Sequence, residues 1–215
     1  MPSLSDEHCP PGTSPGSAPP TVLMDNQALD EFLAAAVGEY QLITADAPLP
    51  CFALLLGTPG PGTLHIERVA FGRNARSSDP AARLEFSETI VPRFGPAYEN
   101  EHRGWWIDSR DLLKASHDAE ALGLELLGSI HMHPDWHRIG PPHERTLVLS
   151  ERPTPMDEHT FRNTAWPINI VCYLERRGDV FYHALAAWSP PPTAAPDRAC
   201  TELPLRIRTR TKVGV

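Results

Sequence analysis

The 215-residue sequence predicts an α/β fold of the α+β type, with helices and strands in one domain. Apolar residues recur with a helical period over 25–40, whereas they form a short run at 52–57 and an alternation at 64–71. Both kinds of pattern return further along the chain. The length and the hydrophobic content of 41% fit a single folded core with tails.

The ends of the chain differ in composition from its middle. Residues 1–21 contain six prolines among Ser, Gly and Thr, with few large apolar side chains. Such a segment cannot bury enough surface to offset the entropy of ordering, so it predicts a disordered tail. The folded domain is expected over 22–190. A C-terminal extension follows over 191–215 and includes an alternating basic segment, either a strand or an exposed arm.

The patterns define the elements in order. The first helix has Asp25 or Asn26 as its N-cap, a second helix has Ser109 as its N-cap, and 73–100 is expected to be mostly irregular. The remaining predictions are strands at 52–57, 64–71 and 124–133, the helix over 109–123, a brief helix over 144–150, and a hairpin of strands 168–174 and 180–187.

Charge and cysteine usage exclude several classes of function. A net charge of −8 argues against a nucleic-acid partner, which favours a basic patch. No signal peptide and no apolar run of roughly 20 residues is visible, so we expect neither secretion nor membrane insertion. The four cysteines have no metal-type spacing and indicate a reduced, cytoplasmic protein: Cys9, Cys51, Cys172 and Cys200.

His131-Met-His133-Pro134 at the end of an apolar run is the segment that predicts chemistry. Imidazoles at i and i+2 of a strand lie on the same face and can bind one metal ion. Glu144, eleven residues past His133, is the candidate third ligand. Three protein ligands leave one position for water, as in hydrolytic zinc sites, so one Zn²⁺ ion is expected.

Other side chains of the same loop have open roles. His143 is an alternative third ligand, whereas Asp135 and His137 are expected at the rim. Trp136 is either a contact for a bound peptide or a side chain packed on the prolines of its loop.

The order of elements, together with these motifs, resembles the JAMM (MPN-domain) metalloprotease family over roughly 25–187. Ala53-Leu-Leu-Leu-Gly57 is similar to the family's GLLLG strand, Asn74 to its asparagine after the second strand, and Ile107-Asp108-Ser109 to the start of its second helix. Gly123 to Pro134 is the most similar segment. The resemblance implies a cytidine-deaminase-like mixed sheet flanked by helices.

The family's site residues can be placed on this sequence one by one. In the family H-x-H-P is followed by a serine and then by an aspartate, and here Pro141 and Glu144 take those places. Proline has no hydrogen-bond donor for an oxyanion. The family's general-base glutamate falls on Pro50, so Glu39 or Glu67 would have to replace it.

Two functions follow from the resemblance. The first is a zinc-dependent hydrolase, a metallo-(iso)peptidase that cleaves peptide or isopeptide bonds after the C-terminal tail of a ubiquitin-like protein, in deconjugation or precursor processing. That tail would add as a strand beside the sheet. The alternative is a catalytically inactive MPN module that serves as a scaffold, since both Pro50 and Pro141 replace residues that carry chemistry.

Overall fold

The computed structural model describes residues 18–191, 195 and 198–209. Within this part of the chain eight strands form one sheet in the order β7-β6-β5-β4-β2-β3-β1-β8. The strands are β1 (Thr21–Asp25), β2 (Phe52–Gly60), β3 (Thr63–Ala70), β4 (Glu125–Pro134), β5 (Ile168–Arg177), β6 (Val180–Ser189), β7 (Thr201–Leu203) and β8 (Leu205–Arg208).

The sheet is mixed. Strands β1 and β3, β1 and β8, and β4 and β5 pair in parallel, and the other neighbours are antiparallel. Gly128 permits the close approach of β4 to β5, because a Cβ atom there would lie 1.6 Å from the carbonyl oxygen of Ile168. The central strands β2, β4 and β5 are therefore tightly packed around the segment that carries the two histidines.

Helices cover both faces of the sheet. They are α1 (Asn26–Leu42), α2 (Pro80–Glu85), a π-helical turn (Phe86–Ile90), α3 (Val91–Phe94), a 3₁₀ turn (Pro96–Glu99), α4 (Ser109–Ala121), α5 (Trp136–Ile139), a second 3₁₀ turn (Pro142–Glu144) and α6 (Pro155–Thr164). Over the described residues, no helix combines the length and apolarity that crossing a bilayer requires.

The alternation of β2 divides the core between the two faces. Ala53 and Leu55 belong to the larger cluster under α1, whereas Leu54 and Leu56 pack with α4 on the opposite face. Successive side chains of a strand point to opposite faces, so an uninterrupted apolar run is what a strand covered on both sides requires. The same alternation in β4 places Ile130 and Met132 in the α1 cluster and turns both histidines to the other face.

The predicted α/β fold with helices around a sheet is confirmed. The first helix begins at Asn26 with Asp25 as its N-cap, while the N-cap of α4 is Asp108 rather than Ser109. Strand β1 starts at Thr21, the last residue of the predicted tail. The rest of that tail, 1–17, and the end of the basic segment beyond 209 lie outside the described residues.

Two segments differ from the prediction. The segment 73–100, expected to be irregular, is largely helical from Pro80 onward, because Asp79 caps the chain and Phe86 and Ile90 gain a buried partner in Met156. The brief helix expected over 144–150 is absent in this described segment. Instead, α6 begins eleven residues after the expected start, at Pro155, where proline suits the first turn of a helix.

Candidate metal centre

Strand β4 delivers the two histidines to a buried position. His131 and His133 are 4% and 6% exposed, and their ring centroids are 4.9 Å apart. The centroid of the His131 ring is 6.4 Å from that of Trp105 and 6.0 Å from that of Phe161. Aromatic side chains therefore pack near this imidazole.

Helix α6 delivers a carboxylate to the same point. Asp157 is 8% exposed and lies at the third position of the helix, where Thr154 is the N-cap. The Thr154 N–H and hydroxyl donate to Asp157 Oδ2 at 2.6 and 2.7 Å, and the Asp157 N–H donates back to the Thr154 hydroxyl at 3.3 Å. This capping box fixes the carboxylate before any ligand arrives.

The three side chains converge at distances that fit a metal ion. The two Nε2 atoms are 3.1 Å apart, His131 Nε2 lies 3.3 Å from Asp157 Oδ1, and His133 Nε2 lies 3.1 Å from Asp157 Oδ2. A tetrahedral zinc ion with its usual bond lengths separates neighbouring ligand atoms by about 3.3 Å. Because two imidazole nitrogens at this distance cannot both be bare, either a proton or a cation belongs between them.

The far side of each imidazole sets its tautomer. His133 Nδ1–H donates to the carbonyl oxygen of Ser150 at 2.8 Å, which leaves the Nε2 lone pair for a metal. His131 Nδ1 is buried and has no hydrogen-bond partner within the described residues. The far nitrogen of His133 is therefore held by a backbone carbonyl, whereas His131 is held by its contact with Asp157 and by nearby aromatic rings.

Electrostatics favour opposite charges in this cluster. Burial alone would raise the pKa of Asp157, but the two imidazoles and their hydrogen bonds hold it well below its usual range. Burial alone would lower the pKa of His133, yet Asp157 and the Ser150 carbonyl raise it on balance. The carboxylate is thus ionised and surrounded by groups that stabilise its charge.

A cleft with a cavity volume of about 120 Å³ gives solvent access to the cluster. Pro48, Leu49 and Pro50 form one wall, and Tyr98 and Arg103 form part of another. Among the described residues that line the cleft, Asp157 is the acidic one. A substrate can therefore approach the three ligand atoms from one direction.

Glu144, expected to be the third ligand, points elsewhere. Its Oε2 accepts a hydrogen bond from Trp136 Nε1 at 2.7 Å and forms an ion pair with Arg103. Burial alone would raise the pKa of Glu144, but these hydrogen bonds lower it on balance. An arginine cannot give up its proton, so this carboxylate is already neutralised, and the structure brings Asp157 to the histidines in its place.

The other loop side chains also turn away from the pair. Asp135, 1% exposed, accepts a hydrogen bond from the Tyr40 hydroxyl at 2.6 Å, and His143 has a side chain that is 79% exposed. His137 is half-buried on α5. Trp136 is 3% exposed, lies against Gly140 and lines the cleft.

The structure also places the candidates for a general base. Pro50 lines the cleft, at the position where the resemblance expects a glutamate. Glu39 lies on α1, and its charge adds to the effect of burial in raising the pKa of the Cys51 thiol. Glu67 accepts a hydrogen bond from Thr58, near the C-terminal end of β2. His131 pairs with Phe52, at the other end of that strand. Neither glutamate lines the cleft.

Two buried cysteines flank the β4 strand without joining the cluster. Cys51 accepts a backbone hydrogen bond from Met132, and Cys172 is paired with Met132 in the sheet. Burial raises the pKa of both thiols to about 12, so they stay protonated at neutral pH. A protonated thiol is a poor metal ligand, which is consistent with a site made of nitrogen and oxygen donors.

Sequence reasoning missed Asp157, although a signal for it was present. Pro141 and Glu144 are three residues apart, and the same spacing recurs in Thr154-Pro-Met-Asp157. Threonine, unlike proline, is a hydroxyl residue, and it precedes an aspartate in a capping pattern. The segment between His133 and Thr154 is simply longer than expected, so counting from the histidines reached the wrong acid.

The comparisons with known proteins bear on the fold. No protein-family model matches the sequence, and no curated protein is significantly similar to it. The chain is similar to the solution structure of protein DSY2949 from Desulfitobacterium hafniense, with a TM-score of 0.53 and 16% sequence identity. The match covers 89% of this chain and 96% of that one. At this identity the likeness shows the shared fold alone.

Proposed function

We propose that the protein is a zinc-dependent hydrolase of peptide or isopeptide bonds, with His131, His133 and Asp157 as the metal ligands. One observation carries the proposal: three buried donor atoms, all within 4.8 Å of one another, lie at the end of a solvent-open cleft. Two imidazoles and one carboxylate are the donor set of hydrolytic zinc sites that keep a fourth position for water.

The chain's own residues prepare this site for catalysis. When bound, zinc supplies a Lewis acid that activates water and polarises a carbonyl. Thr154 holds Asp157, and Ser150 orients His133. Burial raises the pKa of Tyr98 to about 12, so at neutral pH its hydroxyl in the cleft is protonated and able to donate a hydrogen bond to a substrate oxygen.

The identity of the substrate as a ubiquitin-like tail rests on the JAMM resemblance. The structural site supports that resemblance in one respect: Thr154 and Asp157 keep the spacing of three residues that the family's serine and aspartate require. A hydroxyl residue and an aspartate therefore replace Pro141 and Glu144 in the carried-over motif. The open cleft accommodates an extended chain better than a closed pocket would.

The test combines zinc content with cleavage. We expect the purified protein to hold one zinc per chain by elemental mass spectrometry, and to cleave at least one of a panel of linear and isopeptide-linked ubiquitin-like fusions. His131→Ala should lose both properties while keeping its circular dichroism spectrum. His143→Ala, which changes an exposed histidine of the same loop, is the matched control and should keep both.

The alternative function is a scaffold without catalysis. Pro50 favours it, because the cleft lacks a carboxylate, among the described residues, beyond the metal ligand itself. A well-folded protein that takes up no zinc even from a saturating solution would support the scaffold and contradict the hydrolase. Zinc without cleavage of any fusion would keep the metal site and remove the proposed substrate.

A further inference from the structure

A second cleft opens beside the metal centre, between the π-helical turn, the segment 105–107, the start of α4 and α6. Its cavity volume is about 420 Å³. The wall is rich in large apolar side chains, namely Trp105, Trp106, Trp166, Phe86, Ile90 and Leu112. Concave sites lined by aromatic and aliphatic groups are where proteins bind apolar parts of ligands.

This aromatic cleft adjoins the metal centre. Trp105 and Met156 line both clefts, Met156 directly precedes Asp157, and the Trp105 ring centroid is 6.4 Å from that of His131. An extended peptide advances about 3.4 Å per residue. The distance to the Trp105 ring alone spans about two residues, so a peptide whose scissile bond lies at the metal centre would place a side chain in the aromatic cleft at least two residues away.

The polar groups of the aromatic cleft are largely bonded to one another. His159 Nε2 lies 3.3 Å from Glu85 Oε1 and 3.0 Å from Asn163 Nδ2, and Arg93 donates to His159 Nδ1 at 3.4 Å. Because these groups are partnered, a ligand gains little by replacing their hydrogen bonds. The apolar wall is what the cleft offers to an occupant.

We propose that the aromatic cleft is a specificity subsite for a bulky apolar side chain, aromatic or branched aliphatic, located at least two residues from the cleaved bond. The assignment of the occupant to a peptide substrate rests on the proposed function. The subsite itself is a binding property of the apolar wall and does not require catalysis. A flat ring can stack on the indoles, and a branched aliphatic chain fills the same space.

The first experiment detects binding without any turnover. The indole N–H signals of ¹⁵N-labelled protein are followed by NMR during titration with N-acetyl-L-phenylalaninamide, and with N-acetylglycinamide as the control. We expect saturable shifts of Trp105, Trp106 and Trp166 with the first compound alone. Trp188 lines neither cleft and should not move. No saturable shift, or an equal shift at Trp188, would overturn the subsite.

A pair of variants on one helix tests the location. Leu112→Trp fills the aromatic cleft, whereas Leu113→Trp adds the same group at a neighbouring position that is 57% exposed and lines neither cleft. The first variant should lose binding of the phenylalanine amide, and the second should keep it. If Leu112→Trp does not fold, Ser109→Trp fills the cleft from the exposed start of α4. Unchanged binding in the folded filling variant would contradict the proposal.

Cleavage then tests the specificity. Peptide substrates that differ only at one residue, two, three or four positions from the cleaved bond, should show at one of these positions a preference of about 10-fold to 100-fold in kcat/KM for Phe or Leu over Gly. Leu112→Trp should remove this preference and leave the zinc content unchanged. Binding of the amide without zinc or cleavage would sustain the subsite and defeat the proposed function, whereas cleavage with neither binding nor preference would do the reverse.

Discussion

Two carboxylates lie beside the metal cleft, and the structure treats them in opposite ways. Glu144 is paired with Arg103, and its side chain is 18% exposed. Asp157, 8% exposed, faces two imidazoles whose Nε2 atoms approach its oxygens at 3.1 to 3.3 Å. An arginine is permanently charged, whereas an imidazole becomes neutral and offers a lone pair. The partner of each carboxylate, more than its burial, decides whether a cation can join it.

The neighbourhood of Glu144 also explains what that group does. Arg103 lies over the Trp136 ring at 5.1 Å and near the Tyr98 ring at 6.0 Å, and Trp136 Nε1 donates to Glu144. Glu144 thus ties together two elements of the cleft wall. A structural ion pair and a candidate metal ligand can arise from two acidic residues within 13 positions of sequence.

The largest expected difference between the two carboxylates is in zinc affinity, which substitution of each one measures. Asp157→Asn should weaken zinc binding by at least about 100-fold, since altering even a group that only supports a ligand costs 10-fold to 100-fold. Glu144→Gln should change the affinity by less than about 3-fold. Competition with a chromophoric chelator measures both values. Equal losses would show that Glu144 belongs to the metal site after all.

Most of the fold could be predicted because its signals are local. The central strands are apolar runs covered on both faces, and the hairpin of β5 and β6 has a Gly178 turn between them. The helical segment from Pro80 was missed because its apolar residues are few and find their partner, Met156, some 70 positions away. Tertiary packing of this kind leaves no local pattern to read.

Of the candidate metal site, the two histidines could be predicted from the sequence and the carboxylate was not, for a similar reason. His131 and His133 share one strand, so their convergence follows from the period of two. The third ligand comes from another element, and the length of the intervening segment decides which acid arrives. Neither composition nor period fixes that length. Only the Thr154-to-Asp157 capping pattern indicated where the next helix begins.

The ion pair of Glu144 with Arg103 is expected to stabilise the fold. Glu144→Gln should lower the free energy of unfolding by about 1–3 kcal/mol, because it leaves the partly buried Arg103 without its counter-charge. Urea denaturation of the zinc-free protein measures the loss. The control is Asp118→Asn, which removes an exposed partner of Lys114 and should cost less than about 0.5 kcal/mol. Similar losses in the two variants would reduce the Glu144 pair to an ordinary surface pair.

The smallest effect concerns the hydroxyl that holds Asp157. Thr154→Val removes the hydroxyl hydrogen bond to Oδ2 but keeps the backbone one, so zinc affinity should fall about 10-fold. The zinc-free protein should lose about 1 kcal/mol of stability with the N-cap. Thr154→Ser keeps the hydroxyl and should restore both quantities to near wild type. If the valine variant lost stability but bound zinc normally, the Thr154 hydroxyl would cap the helix without orienting the ligand, and Asp157 would then be positioned by its two histidines and the backbone N–H of residue 154.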